Sequence, residues 1–335
     1  MPVVDNIAAL EAIVGKASPT IDLKVIDHVD ATAQRWLACA PLMFAGVGDG
    51  DGIAITLAGG GAGFARSDGA TLSVPLDLVD DPALLQPGHG FGSLFLLPGV
   101  GETLRINGRV LDPEGGTARI AVEECYVHCA KALIRSEFWK AGTDGRDAVP
   151  GNEGDFVTAA RFMALATIDP AGRADLSPKG DPAGRLSRIE GDALLFPDRP
   201  GNRRTDSFRN IIVQPRVAAA LLIPGSMMVA TLTGAASLTD DTAVRARFTV
   251  RDKQPLLATR IDELAIRLAP SAALARAALW PAATAPGDIR PAKMLAEHLR
   301  LNRHKGLGAR LASAVVSIPG LMQKGLDTDY ENNLC

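Results

Sequence analysis

Leu221-Leu-Ile-Pro-Gly225 repeats a stretch met earlier in the chain, Leu94-Phe-Leu-Leu-Pro-Gly99, and the two Pro-Gly pairs lie 126 positions apart. The stretches that follow, Thr103-Leu-Arg-Ile-Asn-Gly108 and Val229-Ala-Thr-Leu-Thr-Gly234, match at the same offset of 126. Two further pairs match in the same order: Gly69–Pro75 with Gly191–Pro197, and Ile134–Trp139 with Ala275–Trp280. Matches that keep their order along the chain indicate a duplication. We therefore expect residues of about 30–140 and 155–281 to be two copies of one domain.

The spacing of apolar segments predicts that each copy is rich in strands. Short apolar runs bounded by Gly, Pro and Asp are typical of strands, and their close spacing indicates a small barrel or sandwich. The runs are Met43–Val47, Ile53–Leu57, Thr71–Val74, Leu94–Leu97, Thr103–Ile106, Met163–Ile168, Ala193–Phe196, Val217–Ile223 and Val229–Leu232. Helices are predicted at Asn6–Val14, around Cys125–Trp139, around Pro270–Trp280 and at Ile289–Lys305. The predicted domains are 1–145 and 155–285, followed by a helical tail at 286–335.

The composition excludes several classes of protein. With 335 residues, 47% of them hydrophobic and 22% charged, the chain can form two globular domains. No apolar run reaches the ~18 residues of a membrane span, and the N-terminus lacks the basic start of a signal peptide. Four cysteines do not make a disulfide framework, and 4% aromatic residues disfavour nucleic acid as a partner. We predict a cytoplasmic protein with a small-molecule substrate. It is either a monomer with pseudo-dimeric halves or a further homo-oligomer.

Basic residues are concentrated in the second copy. Residues 1–150 hold 11 Lys and Arg against 19 Asp and Glu, whereas the remainder holds 24 against 19. The segment Phe196-Pro-Asp-Arg-Pro-Gly-Asn-Arg-Arg-Thr-Asp-Ser-Phe-Arg-Asn210 precedes a predicted helix at Ser207–Val213, with Thr205 or Asp206 as its cap. Arginine forks beside helix N–H groups are typical of a phosphate site, although a salt-bridged surface loop is the alternative. Because acidic and apolar residues stand at the corresponding residues 74–90, we favour an anion site in the second copy.

Three strings in the second copy carry a family resemblance. They are Met163-Ala-Leu-Ala-Thr-Ile-Asp-Pro-Ala-Gly-Arg-Ala-Asp-Leu-Ser-Pro-Lys-Gly180, then Leu194–Ile211 with its arginine loop, then Gln214-Pro-Arg-Val217. In this order they resemble the pyridoxamine 5′-phosphate oxidase-like, FMN-binding split-barrel family. The segment Cys125–Trp139 resembles the segment that follows the barrel strands in the same family. The two signature segments therefore lie in different copies.

The resemblance implies a mainly β fold with flanking helices, as two tandem FMN-binding split β-barrel domains that form an intrachain pseudo-dimer. The family is usually a homodimer with its flavin at the subunit interface, so here FMN would lie between the two copies. The residues implied near the flavin ring and ribityl chain are Arg173, Ser177 and Lys179. Those implied along the tail, with the arginines on the phosphate, are Phe196, Asp198, Arg199, Asn202, Arg203, Arg204, Ser207 and Arg209. Those implied to close the pocket from the first copy are Tyr126, His128, Lys131 and Trp139.

The first copy departs from this pattern. It lacks the arginine loop, and Ala58-Gly-Gly-Gly-Ala-Gly63 replaces the end of the Ser-Pro-Lys-Gly strand. We therefore expect the chain to hold one flavin, or a second flavin in a degenerate pocket.

The resemblance favours an FMN-dependent oxidoreductase that acts on a small molecule. The alternative is a non-catalytic protein that binds flavin or haem as a store or sensor. Haem would need an axial ligand from His128 or His89, and a deazaflavin could replace FMN. No catalytic residue is identified. Cys125, His128 and Cys129 lie close in sequence, but with too few further ligands nearby we predict no metal site.

Overall fold

Two antiparallel seven-stranded sheets form the computed structural model, which describes residues 1–16, 22–142, 150–201 and 204–302. The first sheet contains β1 (Leu42–Asp49), β2 (Gly52–Gly59), β3 (Arg66–Ser67), β4 (Thr71–Pro75), β5 (Gly90–Leu96), β6 (Thr103–Glu114) and β7 (Thr117–His128). The second contains β8 (Phe162–Ile168), β9 (Ala174–Gly180), β10 (Arg188–Glu190), β11 (Ala193–Pro197), β12 (Arg216–Leu222), β13 (Met228–Thr239) and β14 (Ala258–Pro270). The two sheets lie within residues 1–145 and 155–285, respectively.

The strand order is the same in both sheets. It is β2-β1-β5-β6-β7-β4-β3 in the first and, read from the corresponding edge, β9-β8-β12-β13-β14-β11-β10 in the second. The sequence matches fall on corresponding elements, since the Pro-Gly pairs follow β5 and β12, and the next stretches begin β6 and β13. The predicted mainly β architecture of two tandem copies is therefore confirmed.

A glycine that recurs in the repeat explains one irregularity of both sheets. Pairing slips beside Gly108 in β6 and beside Gly234 in β13. A Cβ atom on Gly108 would lie 1.9 Å from the carbonyl oxygen of Ala121, and one on Gly234 would lie 2.5 Å from that of Asp262. Only glycine allows the neighbouring strand to approach this closely, so the repeat preserves a β-bulge.

Eight α-helices are seen in the described residues. They are α1 (Ile7–Val14), α2 (Ala31–Leu37), α3 (Lys131–Arg135), α4 (Glu153–Ala159), α5 (Asp206–Val213), α6 (Thr242–Ala246), α7 (Ala272–Ala277) and α8 (Pro291–Leu301). Short 3₁₀ turns occur at Asp22–Lys24, Leu76–Leu78, Pro82–Leu84 and Phe138–Lys140. None of the described helices is long and apolar enough to cross a membrane.

The helix predicted around Cys125–Trp139 is wrong in its first part, because β7 continues to His128. Side chains alternate along this strand. Cys125 and Val127 pack in the core of the first half, whereas Tyr126 contacts the second half through Arg105 and His128 lines a cavity on that side. The alternation buries both faces, so the segment shows no polar face that would reveal a strand. Helix α3 therefore has only one turn and a half.

Large apolar cores lie inside each half and between the two halves. One lies inside the first half and includes Trp36 of α2, and one lies inside the second half and includes Phe208 of α5. The third lies between the sheets, where Phe44 of β1 and Phe162 of β8 contact each other with ring centroids 5.6 Å apart. The contact between the two sheets is thus apolar, as in an obligate dimer interface.

The terminal helices are exchanged between the halves. Leu10 of the N-terminal helix α1 packs in the core of the second half, whereas Met294 of the C-terminal helix α8 packs in the core of the first. His298 of α8 is fully buried and contacts the Asp30 carboxylate at 3.3 Å. Each half therefore depends on a segment from the other end of the chain.

Candidate functional site

A cavity of about 540 Å³ lies between the two halves. The second half contributes the ends of β9 and β11 and the start of α5, and the first half contributes the end of β7 and helix α3. The end of α1 and residues 253–256 complete its wall. The internal duplication thus creates a site to which both copies contribute.

Eight of the residues singled out from the sequence line this cavity. They are Ser177, Lys179, Asp198, Arg199, Arg204 and Ser207 from the second half, and His128 and Lys131 from the first. Strand β9 positions Ser177 and Lys179 on one side because alternate residues of a strand share a face. Arg199 and Arg204 come from the loop between β11 and α5, whose charge predicts an anion site.

Two other residues of the second half lie elsewhere. Arg173 precedes β9 at the end opposite Lys179, is 73% exposed, and pairs with Asp169 at 2.6 Å. Six residues of extended chain span about 20 Å, so Arg173 and Lys179 lie far apart. Phe196 of β11 packs in the core of the second half. Neither residue lines the cavity.

Three further residues are held by protein partners outside the cavity wall. Arg209 donates to Glu11 of α1 at 2.6 Å, so it anchors the N-terminal helix. Trp139 donates from Nε1 to the Val100 carbonyl at 2.6 Å. Tyr126 is fully buried behind the wall, where it accepts a hydrogen bond from Arg105 at 2.6 Å. The predicted Asn202 and Arg203 lie outside the described residues.

The cavity is strongly basic. Among the described residues its lining has six basic side chains, Lys131, Arg135, Lys179, Arg199, Arg204 and Lys253, and two acidic ones, Asp181 and Asp198. The low dielectric constant of a partly closed cavity strengthens the attraction of such a surplus for an anion. The arrangement therefore favours an anionic ligand.

Arg199 lines the cavity and has one guanidinium nitrogen without a partner among the described residues. Its Nε donates to Asp181 at 2.6 Å and its Nη1 donates to the Phe248 carbonyl at 2.7 Å. Its Nη2 is buried without a hydrogen-bond partner among the described residues. A buried guanidinium nitrogen without a partner costs free energy, so a ligand that accepts from it would be stabilised.

Lys179 and Asp198 influence each other across the cavity. Burial lowers the pKa of Lys179, and the nearby Asp198 carboxylate opposes that shift. Burial raises the pKa of Asp198, and Lys179 opposes that shift in turn. The Lys179 Nζ also lies 5.2 Å from the centroid of the Phe208 ring. Each group thus partly offsets the effect of burial on the charge of the other. Lys179 keeps a positive charge at the end of β9 without forming a tight ion pair.

Two hydroxyl groups meet at the start of α5. Ser177 Oγ and Ser207 Oγ lie 2.6 Å apart, and both residues line the cavity. Thr205 is the N-cap residue of α5, as one of the two predicted caps, but its side chain does not cap the helix and instead accepts from Arg209 Nε at 3.1 Å. The hydroxyl pair remains beside the basic residues, where it can donate to an anion.

Arg204 turns towards a buried polar cluster at one side of the cavity. Its guanidinium carbon lies 4.5 Å from the Tyr126 ring centroid, and its Nε pairs with Asp206. Behind Tyr126, Arg105 donates to Asp175 at 2.5 Å and joins the first half to the second. Burial opposes the charge of Arg204, yet its neighbours Tyr126 and Asp206 raise its pKa, so the arginine stays charged at this edge.

His128 is the histidine of the cavity. Burial, with the nearby Arg105, Lys24 and Arg204, lowers its pKa well below the usual value, so it is neutral at pH 7. Its Nδ1 atom is buried without a hydrogen-bond partner among the described residues. The next residue, Cys129, also lines the cavity and is half-buried.

Sequence reasoning missed Arg135, which is central to the site. It lines the cavity from α3, donates from Nε to the Gly180 carbonyl at 2.8 Å and from Nη1 to the Pro200 carbonyl at 3.1 Å. Asp181 lies 3.8 Å from its Nε. The signal was available, since Arg135 and Arg276 occupy the same position in the matched stretches that end in Trp139 and Trp280.

Residues 153–280 match the family model described as pyridoxamine 5′-phosphate oxidase. Similar solved structures include HupZ of Group A Streptococcus, with 18% identity over 36% of this chain and 94% of that one and a TM-score of 0.29. General Stress Protein 26 from Bacillus anthracis str. Sterne has 14% identity over 35% and 95%, with a TM-score of 0.27. A protein described as F420 Reductase has 18% identity over 36% and 94%, with a TM-score of 0.25.

The curated proteins contain no match to this sequence. The family match covers the strands of the second half, the arginine loop and helix α5, which carry most of the cavity wall. It ends at Trp280, beyond α7. Residues 153–280 thus match the model of the pyridoxamine 5′-phosphate oxidase family, which confirms the resemblance predicted from the sequence.

Proposed function

We propose that this chain binds a flavin of the FMN type between its halves and acts as an oxidoreductase on a small molecule. The observation that carries the proposal is the basic cavity between the halves, with Arg199 Nη2 buried beside it and without a partner among the described residues. A phosphate group offers several acceptor oxygens and negative charge, which match this atom and the surrounding Lys131, Arg135 and Lys179. The family match over residues 153–280 supports the same ligand class.

The residues of both halves have distinct tasks in this proposal. Arg199, Arg135 and Lys131 would hold the phosphate, and the hydroxyl pair of Ser177 and Ser207 would donate one hydrogen bond to it or to the ribityl chain. Lys179 holds a positive charge that favours an anionic form of the ligand, and Asp198 keeps that charge in place. The bound flavin would supply the hydride or electron transfer, whereas the protein orients it and excludes water.

Absorption spectroscopy with an FMN titration tests the proposal. The purified protein should show the paired near-ultraviolet and blue bands of a flavin, or gain them on addition of FMN. Lys179→Met should weaken FMN binding about 10- to 100-fold, because a hydrogen bond to a charged group contributes about 1.5–3 kcal/mol. Lys140→Met is the matched control, since Lys140 is 77% exposed and pairs with Glu137 outside the cavity. Protein that neither carries nor takes up FMN would disprove the proposal.

Haem is the second candidate ligand, favoured by one observation. His128 is neutral and lines the cavity, as an axial ligand must. His89 lies instead 4.0 Å from Asp49 and does not line the cavity. A Soret band that disappears in His128→Ala would favour haem over flavin. A deazaflavin would be distinguished by its own absorption maximum after reconstitution.

A further inference from the structure

A second cavity, of about 300 Å³, lies where the duplication would place a second ligand site. It is lined by β2, by the segment that follows β4, and by β13 and β14. These elements correspond by strand order to β9, β11, β6 and β7, which surround the first cavity or the cluster behind it. The two cavities therefore overlap in position, since Thr56 and Ala269 of the second correspond to Ser177 and His128 of the first.

The residues of the second cavity differ where the first is basic. Strands β2 and β9 end at Gly59 and Gly180, so counting back from these ends places Ala58 at the position of Lys179 and Thr56 at that of Ser177. Among the described residues, the second cavity has acidic Asp80 and Asp81 against the single basic residue Arg267. The charge of its lining thus repels the anion that the first cavity attracts.

The chain itself covers the end of β2. Val79 pairs with Ala58, the amide of Asp80 donates to the Leu57 carbonyl at 2.8 Å, and the amide of Asp81 donates to Thr56 Oγ1 at 3.0 Å. The residues that correspond to Ser177 and Lys179 are therefore bonded to residues 79–81, which we call the closing segment. In the second half the corresponding hydroxyl, Ser177 Oγ, lies beside Ser207 Oγ at the cavity wall.

Asp80 fastens the closing segment to the opposite half. Its carboxylate accepts from Ser271 Oγ at 2.5 Å and from the amide of Ala273 at 2.8 Å, at the start of α7. Helix α7 corresponds to α3, which presents Lys131 and Arg135 to the first cavity. The Asp80 carboxylate therefore lies beside α7 in the second cavity. The negative charge of a ligand would lie at the corresponding place beside α3 in the first cavity.

From these contacts we infer that the closing segment replaces a ligand in the second cavity, so the chain binds one flavin-type ligand and not two. This inference rests on the proposed function, because it concerns the same ligand. It also means that the duplicated chain has specialised: one copy of the site holds the ligand, and the other holds the halves together through Asp80.

Stoichiometry of FMN binding tests the inference on the unaltered protein. Titration followed by flavin fluorescence, checked by equilibrium dialysis, should saturate at one FMN per chain. Saturation at two per chain would overturn the inference and leave the proposed function standing. An absence of any FMN binding would overturn the proposed function and the inference with it. These results differ, so the experiment can overturn the inference of one ligand per chain without overturning the proposed function.

Hydrogen exchange and two variants locate the bound ligand. FMN should slow exchange at residues 177–180 and 204–208 and leave residues 54–58 and 79–81 unchanged; slower exchange at residues 79–81 would overturn the inference. Lys179→Met at FMN concentrations that saturate the wild type should lose most binding, and a remaining site of wild-type affinity would again overturn it. Asp80→Asn should change FMN affinity less than twofold, since Asp80 lies at the second cavity.

Discussion

Arg135 and Arg276 make the same two contacts on opposite sides of the molecule. Arg135 of α3 donates to the carbonyls of Gly180 and Pro200, and Arg276 of α7 donates to those of Gly59 and Leu78, all at 2.8–3.1 Å. Each arginine belongs to one half and its acceptors to the other. The two halves are therefore related as the subunits of a symmetric dimer are, with a self-complementary interface.

At both contacts the strand end and the helix approach so closely that an added methyl group should destabilise the fold. A Cβ atom on Gly180 would lie 2.0 Å from the Ala132 carbonyl oxygen, and one on Gly59 would lie 2.3 Å from that of Ala273. Gly180→Ala and Gly59→Ala should each lower the free energy of unfolding by about 1–3 kcal/mol, because helix and strand must separate. Urea unfolding measures this loss.

Gly61→Ala is the control for these two variants, since nothing lies within 4 Å of its added Cβ. It should change stability by less than about 0.5 kcal/mol. If Gly180→Ala and Gly59→Ala were as stable as Gly61→Ala, the helices would not be packed against the strand ends as described.

The repeat made the fold predictable. It was harder to infer which face of a strand or helix is buried and which core receives it. The matched Pro-Gly pairs follow corresponding strands because Pro-Gly specifies a turn locally. Strands β7 and β14 were not predicted, since Arg119, Glu123 and Arg260 interrupt their apolar runs. The exchange of α1 and α8 between the halves could not be predicted either. A helix pattern shows that an apolar face exists and not which core receives it.

The site was predictable in its charge and not in its detail. The contrast between the two loops identified Arg199 and Arg204, because a difference in charge between copies is visible in sequence. Arg209, in the same loop and helix, binds Glu11, which lies 198 positions away. Arg209 contacts Glu11 only because helix α1 packs against the second half, which the sequence near Arg209 does not show. The resemblance implies that Tyr126 lies in the pocket with His128, yet its contact with Arg105 keeps it behind the wall.

Cys129 provides a chemical probe of the first cavity. It lines the cavity and is half-buried, whereas Cys39 is half-buried elsewhere and accepts from Arg35. Saturating FMN should slow alkylation of Cys129 by iodoacetamide about tenfold or more, because the ligand-free fraction falls by mass action. Mass spectrometry of the labelled peptides measures both rates in a Cys335→Ser background. Equal slowing at Cys39 would indicate a general effect of FMN and contradict a ligand in this cavity.

Because of Lys24, the free energy of unfolding should rise with pH in the alkaline range. Burial lowers its pKa to about 8, although its Nζ donates to the Val127 carbonyl at 2.8 Å. Because its value in the unfolded chain is 10.5, the unfolded state binds more protons between pH 8 and 10.5, and unfolding becomes less favourable as pH rises through that window. The contribution amounts to about 3 kcal/mol at most.

The variant Lys24→Met lacks this proton and isolates the effect. At pH 7 the variant should have the higher free energy of unfolding in respect of this charge, because it does not bury a charged lysine. By pH 10.5 that advantage over the wild type should be lost. Urea unfolding at intervals from pH 7 to 10.5 gives the difference between the two proteins. A difference that does not change with pH would show that Lys24 is solvated in the folded chain.

The contact between Asp30 and His298 should be visible at acid pH. Burial alone would raise the pKa of Asp30, but hydrogen bonds from His298, from the Ala33 amide and from Thr32 outweigh it and lower the pKa to about 2. The unfolded value is 3.8, so the stabilisation is complete above that pH and is lost as pH falls from 3.8 to 2. The loss should amount to about 2 kcal/mol. Asp30→Asn should lack it, because the amide does not titrate.

Urea unfolding of the wild type and of Asp30→Asn at pH 5, 4, 3 and 2 measures that loss directly. The wild type should be the more stable protein at pH 5, and the two curves should converge near pH 2. Lys293→Ala serves as the control on the same helix, since Lys293 is 69% exposed and its pairing with Glu297 contributes little. If the two curves stayed parallel, the buried histidine would not hold the C-terminal helix through this carboxylate.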